Sequence, residues 1–195
     1  MGDCAVIEFL DGKMVHYVKE TMPVKVLSNF ETYGDLISSL NIYKSWGGDL
    51  PAPQSSGPFD RFVRAADMVK NYNPKTSKSA SDYAFDVLAN VAVVKGVVPT
   101  AWSIVFDIKN LHVYYHGLDK KQIKHFALSS FDFSCNTPVK LLDIKTGLIG
   151  DITKNFFDYN YKLYRGLLLN TLNLLDNERL DIIANYPQST VCMDK

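Results

Sequence analysis

The chain reads as strands, then helices, then strands again, and that order leaves few folds open. Residues 4–10 form a short apolar run, Asp11-Gly12 follows, and residues 14–18 carry β-branched and aromatic side chains. Asp-Gly accepts the positive φ angles of a tight type I′ turn, so the two runs predict a hairpin. A third extended run, residues 24–28, follows Pro23 and ends at Asn29, and such short connections predict antiparallel neighbours. The pattern then changes period. Leu36, Ile37 and Leu40 fall at helical spacing within residues 33–43, and a loop rich in Gly, Pro and Ser separates them from a helix starting near Phe59. Phe62, Ala65, Ala66 and Val69 make one apolar stripe; Tyr83, Val87, Val91 and Val94 make another, with Ser79 and Ser81 as N-cap candidates. Strands return over 101–108, 111–115 and 123–128 as a meander with a Lys109-Asn110 turn, and residues 139–144 add an edge strand. This order predicts an α+β layered fold with antiparallel sheet. Phe157, Tyr161, Tyr164, Leu168 and Leu175 share one helical face, which predicts an amphipathic helix over residues 156–175.

With 47% hydrophobic residues in 195, the chain has enough apolar material for a real core, which excludes global disorder. Its 21 basic and 21 acidic side chains cancel, and no basic run exceeds Lys120-Lys121, so nucleic acid is not expected as a partner. The most apolar helical stretch, residues 163–175, is interrupted by Arg165, Asn170 and Asn173, so a membrane is not expected either. The first ten residues lack a basic segment and include Asp3 and Glu8, unlike a signal peptide, which makes a cytoplasmic location the default. Cys4, Cys135 and Cys192 are odd in number and irregular in spacing, so reduced thiols are expected. No Gly-rich phosphate loop, GxSxG elbow or HExxH occurs, and no cofactor is expected. His112 and His116 can share a strand face, but without an acidic or thiol ligand nearby a packed or solvated role outweighs metal binding. Trp46, beside Gly47-Gly48, and Trp102 read as core or loop anchors before they read as the lining of an apolar pocket.

Two residues invite a chemical reading. In the run from Asp60 to Asp67, Arg64 can pair with Asp60 four residues back and with Asp67 three residues on. Arg61 has no such neighbour, and a cation in the first turn opposes the positive end of the helix dipole, so something outside the helix should hold it. A salt bridge to a distant carboxylate is the plainer account; a guanidinium aimed into a site, steadying an anionic nucleophile or substrate, is the sharper one. Asn29 closes an extended run before a helix, where an Asx turn or helix cap is the ordinary role. Its alternative is a neutral, directional amide donor for an oxyanion. Spacing alone does not choose between them.

The segment Val24-Lys25-Val26-Leu27-Ser28-Asn29-Phe30-Glu31-Thr32-Tyr33, then Asp60-Arg61-Phe62-Val63-Arg64-Ala65-Ala66, then Pro99-Thr100-Ala101-Trp102-Ser103 with Val113-Tyr114-Tyr115, resembles the second half of the choloylglycine hydrolase family. That family contains penicillin V acylases and bile salt hydrolases, cysteine-nucleophile members of the N-terminal nucleophile amidases. The resemblance covers residues 3–151 and leaves residues 152–195 as a helical C-terminal extension. It implies part of a four-layer αββα sandwich. It also implies roles: Asn29 matches the asparagine that helps form the oxyanion hole, and Arg61 matches the arginine beside the nucleophilic thiolate.

The departure from the family concerns the nucleophile. In the family the catalytic cysteine heads the mature chain, where its own α-amino group can act as base, and the half that carries it has no match here. Cys4 does not substitute, because Glu20 and Pro23 stand where Arg and Asp would be needed, and it reads better as a small buried strand residue. An oxyanion hole without a nucleophile stabilises a charge that never forms. The chain alone is therefore expected to be silent, as the C-terminal part of an amidase for penicillin V or conjugated bile acid type linear amides, or else as a non-catalytic binding or assembly module descended from that fold. The expected partners are a small amide substrate, once an N-terminal half completes the site, and either a complementing chain or further copies of itself. Half of a sandwich should expose an apolar sheet face, so self-association is expected in sedimentation and a sharp monomer would count against it.

Overall fold

The computed structural model describes residues 5–10, 13–18, 22–28, 33–75, 78–96, 99–117, 122–143, 147–171 and 176–189. The chain divides into two compact units, Met1–Thr100 and Ala101–Lys195. Both mix helices with sheet, and among the described residues the strand pairings are antiparallel apart from the short contact of Lys124 and His125 with Gly150 and Asp151 and an isolated parallel bridge between Tyr43 and Leu50, so the α+β class holds.

In the first unit, β1 (Ala5–Leu10) and β2 (Lys13–Val18) pair antiparallel, from Ala5 opposite Val18 to Leu10 opposite Lys13. This is the predicted hairpin; its Asp11-Gly12 turn, like Cys4, lies outside the described residues. Residues 24–28 do not form the third strand that their composition suggests. A strand exists only as a member of a ladder, and among the described residues nothing pairs with this run. Residues 33–43 also depart from a single helix. They give α1 (Tyr33–Ser38) and then a 3-10 turn, Leu40–Ile42. The hydroxyls of Ser38 and Ser39 both donate to the Asp35 carbonyl, at 3.0 and 2.9 Å, and such back-bonding competes with continued α-helix.

A second 3-10 turn, Lys44–Trp46, leads into Gly47-Gly48, after which the chain folds back so that Leu50 N donates to Ile42 O at 2.9 Å and Lys44 N to Leu50 O at 2.8 Å. α2 (Pro58–Lys70) begins with proline in its first turn, where the missing N–H costs nothing. It buries Phe62, Val63, Ala65 and Ala66, close to the predicted stripe. The core of this unit joins Phe62, Val63 and Ala66 to Val24, Leu36, Leu40 and Tyr43, with Val26, Ile37, Trp46 and Phe59 packed around the edge. α3 (Ala80–Val91) is capped by Ser79, whose hydroxyl accepts the Asp82 amide at 3.2 Å. Phe85 is its buried residue, and Val94 lies beyond the helix end, 70% exposed, because the backbone turns extended at Ala92 and the helical spacing lapses there.

In the second unit, β3 (Trp102–Asp107), β4 (His112–Gly117) and β5 (Lys124–Ala127) form the predicted antiparallel meander. Asp107 secures its first turn by accepting from both the backbone and the side-chain amide of Asn110, and those bonds hold its carboxyl below the usual range. Residues 139–143, the described part of the predicted 139–144 strand, do not edge this sheet. Instead β6 (Lys140–Leu141) makes a separate two-stranded pair with β8 (Phe157–Asp158), while β7 (Gly150–Asp151) runs parallel beside β5. A two-residue strand buries little, so its partner is chosen by tertiary position and not by its own pattern. The predicted 156–175 helix starts later for the same reason: Phe157 is taken up by β8, and α4 (Tyr161–Thr171) starts after Asn160, whose side chain accepts the Leu163 amide at 3.1 Å; residues 172–175 lie outside the described residues. Cys135 is disulfide-bonded, which overturns the reduced-thiol expectation; its partner lies outside the described residues. Disulfides depend on Cα proximity, which irregular spacing along a sequence does not reveal.

α5 (Asn177–Ser189) follows, with Leu180 and Ala184 fully buried. Arg165 Nε donates to Asp181 Oδ1 at 2.5 Å and Tyr161 Oη donates to the same oxygen at 3.0 Å, so α4 and α5 are joined through one carboxylate. The Arg165 bond, and then the Tyr161 bond, hold Asp181 below the usual carboxylate range. A carboxyl with a depressed folded pKa contributes stability above its unfolded value of about 3.9, and that contribution is lost as pH falls through the folded pKa. Acidification is therefore expected to release the α4–α5 contact below the ordinary carboxylate range, seen as line shifts of Tyr161 and Ala184 by NMR. Asp181→Asn should abolish this acid-side response.

Candidate functional site

Arg61 sits in the first turns of α2, half-buried, its amide donating to Gly57 O at 3.0 Å. Helical spacing puts it on the same side as Ala65, which is buried, so its stem lies toward the packed side of the helix. Asn29, the other sequence candidate, lies outside the described residues. The nearest described residues are Ser28 before it and Tyr33 after it. Tyr33 is buried at the start of α1, and its hydroxyl accepts from Val24 N at 3.3 Å and donates to Val24 O at 2.5 Å. Ser28 Oγ donates to Pro58 O at 2.9 Å. One end of the irregular run is thereby tied to α1 and the other to the first turn of α2, three residues before Arg61.

These bonds account for a segment that lacks a ladder. Val24 and Val26 turn into the shared core, and the Tyr33 hydroxyl satisfies both backbone groups of Val24, where a neighbouring strand would otherwise do so. Sequence reading missed Ser28 and Tyr33. The available signal was a tyrosine on an apolar helix face, which needs a partner for its hydroxyl when buried.

The charges beside Arg61 are not arranged as helix spacing suggests. Arg64 pairs with neither Asp60 nor Asp67. Its Nη1 donates to the carbonyls of Ser55 at 2.6 Å and Pro53 at 3.2 Å, and its Nε donates to Asn90 Oδ1 at 3.0 Å. One guanidinium thus ties the Pro- and Ser-rich loop and the end of α3 to α2, a planar multi-donor task that an exposed i,i+4 ion pair worth a few tenths of a kcal/mol does not outcompete. Asp67 accepts instead from Trp46 Nε1 at 2.6 Å and Ser45 Oγ at 2.9 Å. Lys70 covers the Trp46 ring, 4.2 Å from its centroid. Trp46 is therefore a loop anchor. Tyr43, packed tilted against Phe59, has its phenol pushed up by burial and then by the Asp60 carboxylate.

In the second unit, His112 lies on one strand face with Tyr114 and His125, ring centroids 5.7–6.5 Å apart. His116 is farther along the same strand, its Nδ1 within 3.0 Å of Gly117 O. Among the described residues no three His, Cys, Asp or Glu side chains are placed to hold a metal ion.

Residues 37–141 match the model of the linear amide C–N hydrolases, choloylglycine hydrolase family. The chain belongs to this family. The match spans more than half of the chain, includes Arg61 and all of α2, and begins after Asn29. Among curated relatives, the penicillin V acylase of Pectobacterium atrosepticum is 29% identical in an alignment 155 residues long that covers 68% of this chain and 40% of that protein. Among solved structures, the penicillin V acylase of Agrobacterium tumefaciens superposes with a TM-score of 0.66 at 25% identity over 82% of this chain and 54% of its own. The conjugated bile acid hydrolase of Clostridium perfringens, in a mutant form, gives 0.55 at 21% identity over 67% and 48%, a likeness of fold alone. These neighbours have the N-terminal nucleophile hydrolase fold, and the chain spans about half the length of the relatives it matches.

Proposed function

We propose that this chain is the C-terminal part of a cysteine-nucleophile amidase acting on linear amides of the penicillin V or conjugated bile acid type, with the nucleophile carried by polypeptide outside it. In this reading residues 3–151 are the amidase portion and residues 152–195 an added helical extension. The Asn29 carboxamide donates to the oxyanion that forms when the thiolate attacks the amide carbonyl, and the Arg61 guanidinium stands beside the sulfur and favours its ionised form. Neither group supplies electrons to a bond. Both steady negative charge, first on sulfur and then on oxygen.

The observation that carries this reading is the Ser28–Pro58 hydrogen bond at 2.9 Å. It ties the residue before Asn29 to the first turn of the helix that bears Arg61, although the two candidates are separated by 32 positions of chain. Membership of the family and the partial span of its relatives support the reading as well. The exposed side chains of Trp102, Phe106 and Ile108, on or just beyond β3 at the edge of its sheet, agree with a surface that further polypeptide covers.

The test is an assay of phenoxyacetyl amide and glycine-conjugate hydrolysis by this chain, alone and mixed with the N-terminal half of a family member. Silence alone and turnover after mixing is the expected result. Turnover by the chain alone would overturn the absent nucleophile, and silence in both arms would favour the non-catalytic binding or assembly module.

A further inference from the structure

The second unit contains a cavity of about 360 Å³ between β5, the loop after it and the start of the β8 segment. We propose that it binds a small neutral aromatic molecule. Four of its eleven lining residues are phenylalanines. Phe126, Phe131 and Phe156 meet edge to face with centroids 4.8–5.7 Å apart, and Phe133 stands at 6.3 Å from Phe131. Leu128 and Val139 complete the apolar lining. An inserted ring would continue the same edge-to-face packing, which aromatic quadrupoles favour.

The polar groups at the wall favour an uncharged ligand, because the acid and the lysine among them are already paired within the protein. Asp132 accepts from Ser134 N at 2.8 Å and from Thr137 Oγ1 at 2.7 Å, and the two hydroxyls of Ser134 and Thr137 are 3.0 Å apart. These bonds hold the Asp132 carboxyl below its usual range, so it is a fixed anion spent on its own loop. Lys140 pairs with Asp158 across the short β6–β8 ladder. A carboxylate entering the cavity would lose hydration and meet the fixed negative charge of Asp132, and an ammonium would have to compete with the two donors that Asp132 already holds.

The same bonds make the cavity preformed. The loop bearing Phe131, Phe133 and Thr137 is closed on itself by Asp132, and Cys135 within it is disulfide-bonded. Its volume lies at the lower end of the range for small-molecule sites, which suits one fused or single ring. Phe133, 75% exposed at the mouth, would lose contact with water when the cavity is filled.

The experiment is fluorine NMR of 5-fluoroindole titrated with the full chain, with fluorobenzoate as the charged counterpart. Saturable broadening by 5-fluoroindole, and fluorobenzoate binding at least about tenfold weaker, are the expected results. Val139→Trp fills the cavity from an exposed position and should weaken 5-fluoroindole about tenfold or more. Phe133→Ala removes an exposed ring that does not hold the fold and should also weaken it. Absence of saturation, equal binding of fluorobenzoate, or unchanged affinity in both variants would overturn the proposal.

Discussion

Gly48→Ala is expected to unfold the turn between α1 and α2 and to destabilise the first unit by about 3–5 kcal/mol, the range of severe steric and packing defects. A Cβ on Gly48 would lie 2.1 Å from the Ile42 carbonyl carbon and 2.2 Å from its oxygen, a collision with backbone that no rotamer relieves. Relief requires the 3-10 turn at Leu40–Ile42 to move, and Leu40 is part of the core that also holds Phe62 and Val63 of α2. Its neighbour is the control. Gly47 has nothing within 4 Å of a Cβ but has φ +96°, so Gly47→Ala meets only the left-handed backbone penalty of about 1–2 kcal/mol. Denaturant midpoints of the two variants should therefore differ clearly. Equal midpoints would show that the turn yields without disturbing the core.

Asn29→Ala, in the enzyme completed by an N-terminal half as proposed, should lower kcat by about 10²–10³-fold, the usual loss for one oxyanion donor. KM should change little, because the ground-state carbonyl carries little of the charge that the carboxamide stabilises. Arg61→Ala should act differently. Removing a cation from beside the sulfur raises the thiol pKa, so the acid limb of kcat/KM should move upward by about one pH unit or more. Arg61→Lys should restore part of that shift, since it keeps the charge and loses the planar fork. An alkaline shift in Arg61→Ala with unchanged thermal stability separates a role at the sulfur from a structural one. An unmoved pH profile would remove Arg61 from the site.

Much of this architecture was legible before any coordinates. The hairpin over residues 5–18, α2 with its Phe62, Ala65 and Ala66 stripe, and the meander of β3 to β5 follow from hydrophobic period and turn chemistry, which are local properties. So was the family, through the order of short motifs that only partly overlap the matched residues 37–141. Less was legible where a segment's fate depends on a distant partner. The run at 24–28 has strand composition yet no ladder among the described residues, and residues 139–144 contribute two residues to a different sheet from the meander. Arg64 has two acids at helical spacing and bonds to neither, because three carbonyls and an amide from elsewhere offer its guanidinium more.

By itself the sequence determined which stretches can be amphipathic helices and alternating strands, and that Arg61 lacked a partner at helical spacing, whereas Asn29 had an Asx turn or helix cap as its ordinary role. Those are consequences of side-chain spacing and need no third dimension. Only the tertiary structure decided that Ser28 reaches Pro58, that Tyr33 grips both backbone groups of Val24, and that four phenylalanines line one cavity. Each joins groups separated along the chain, and hydrogen bonding and ring packing act over a few ångströms, a distance that chain order does not specify.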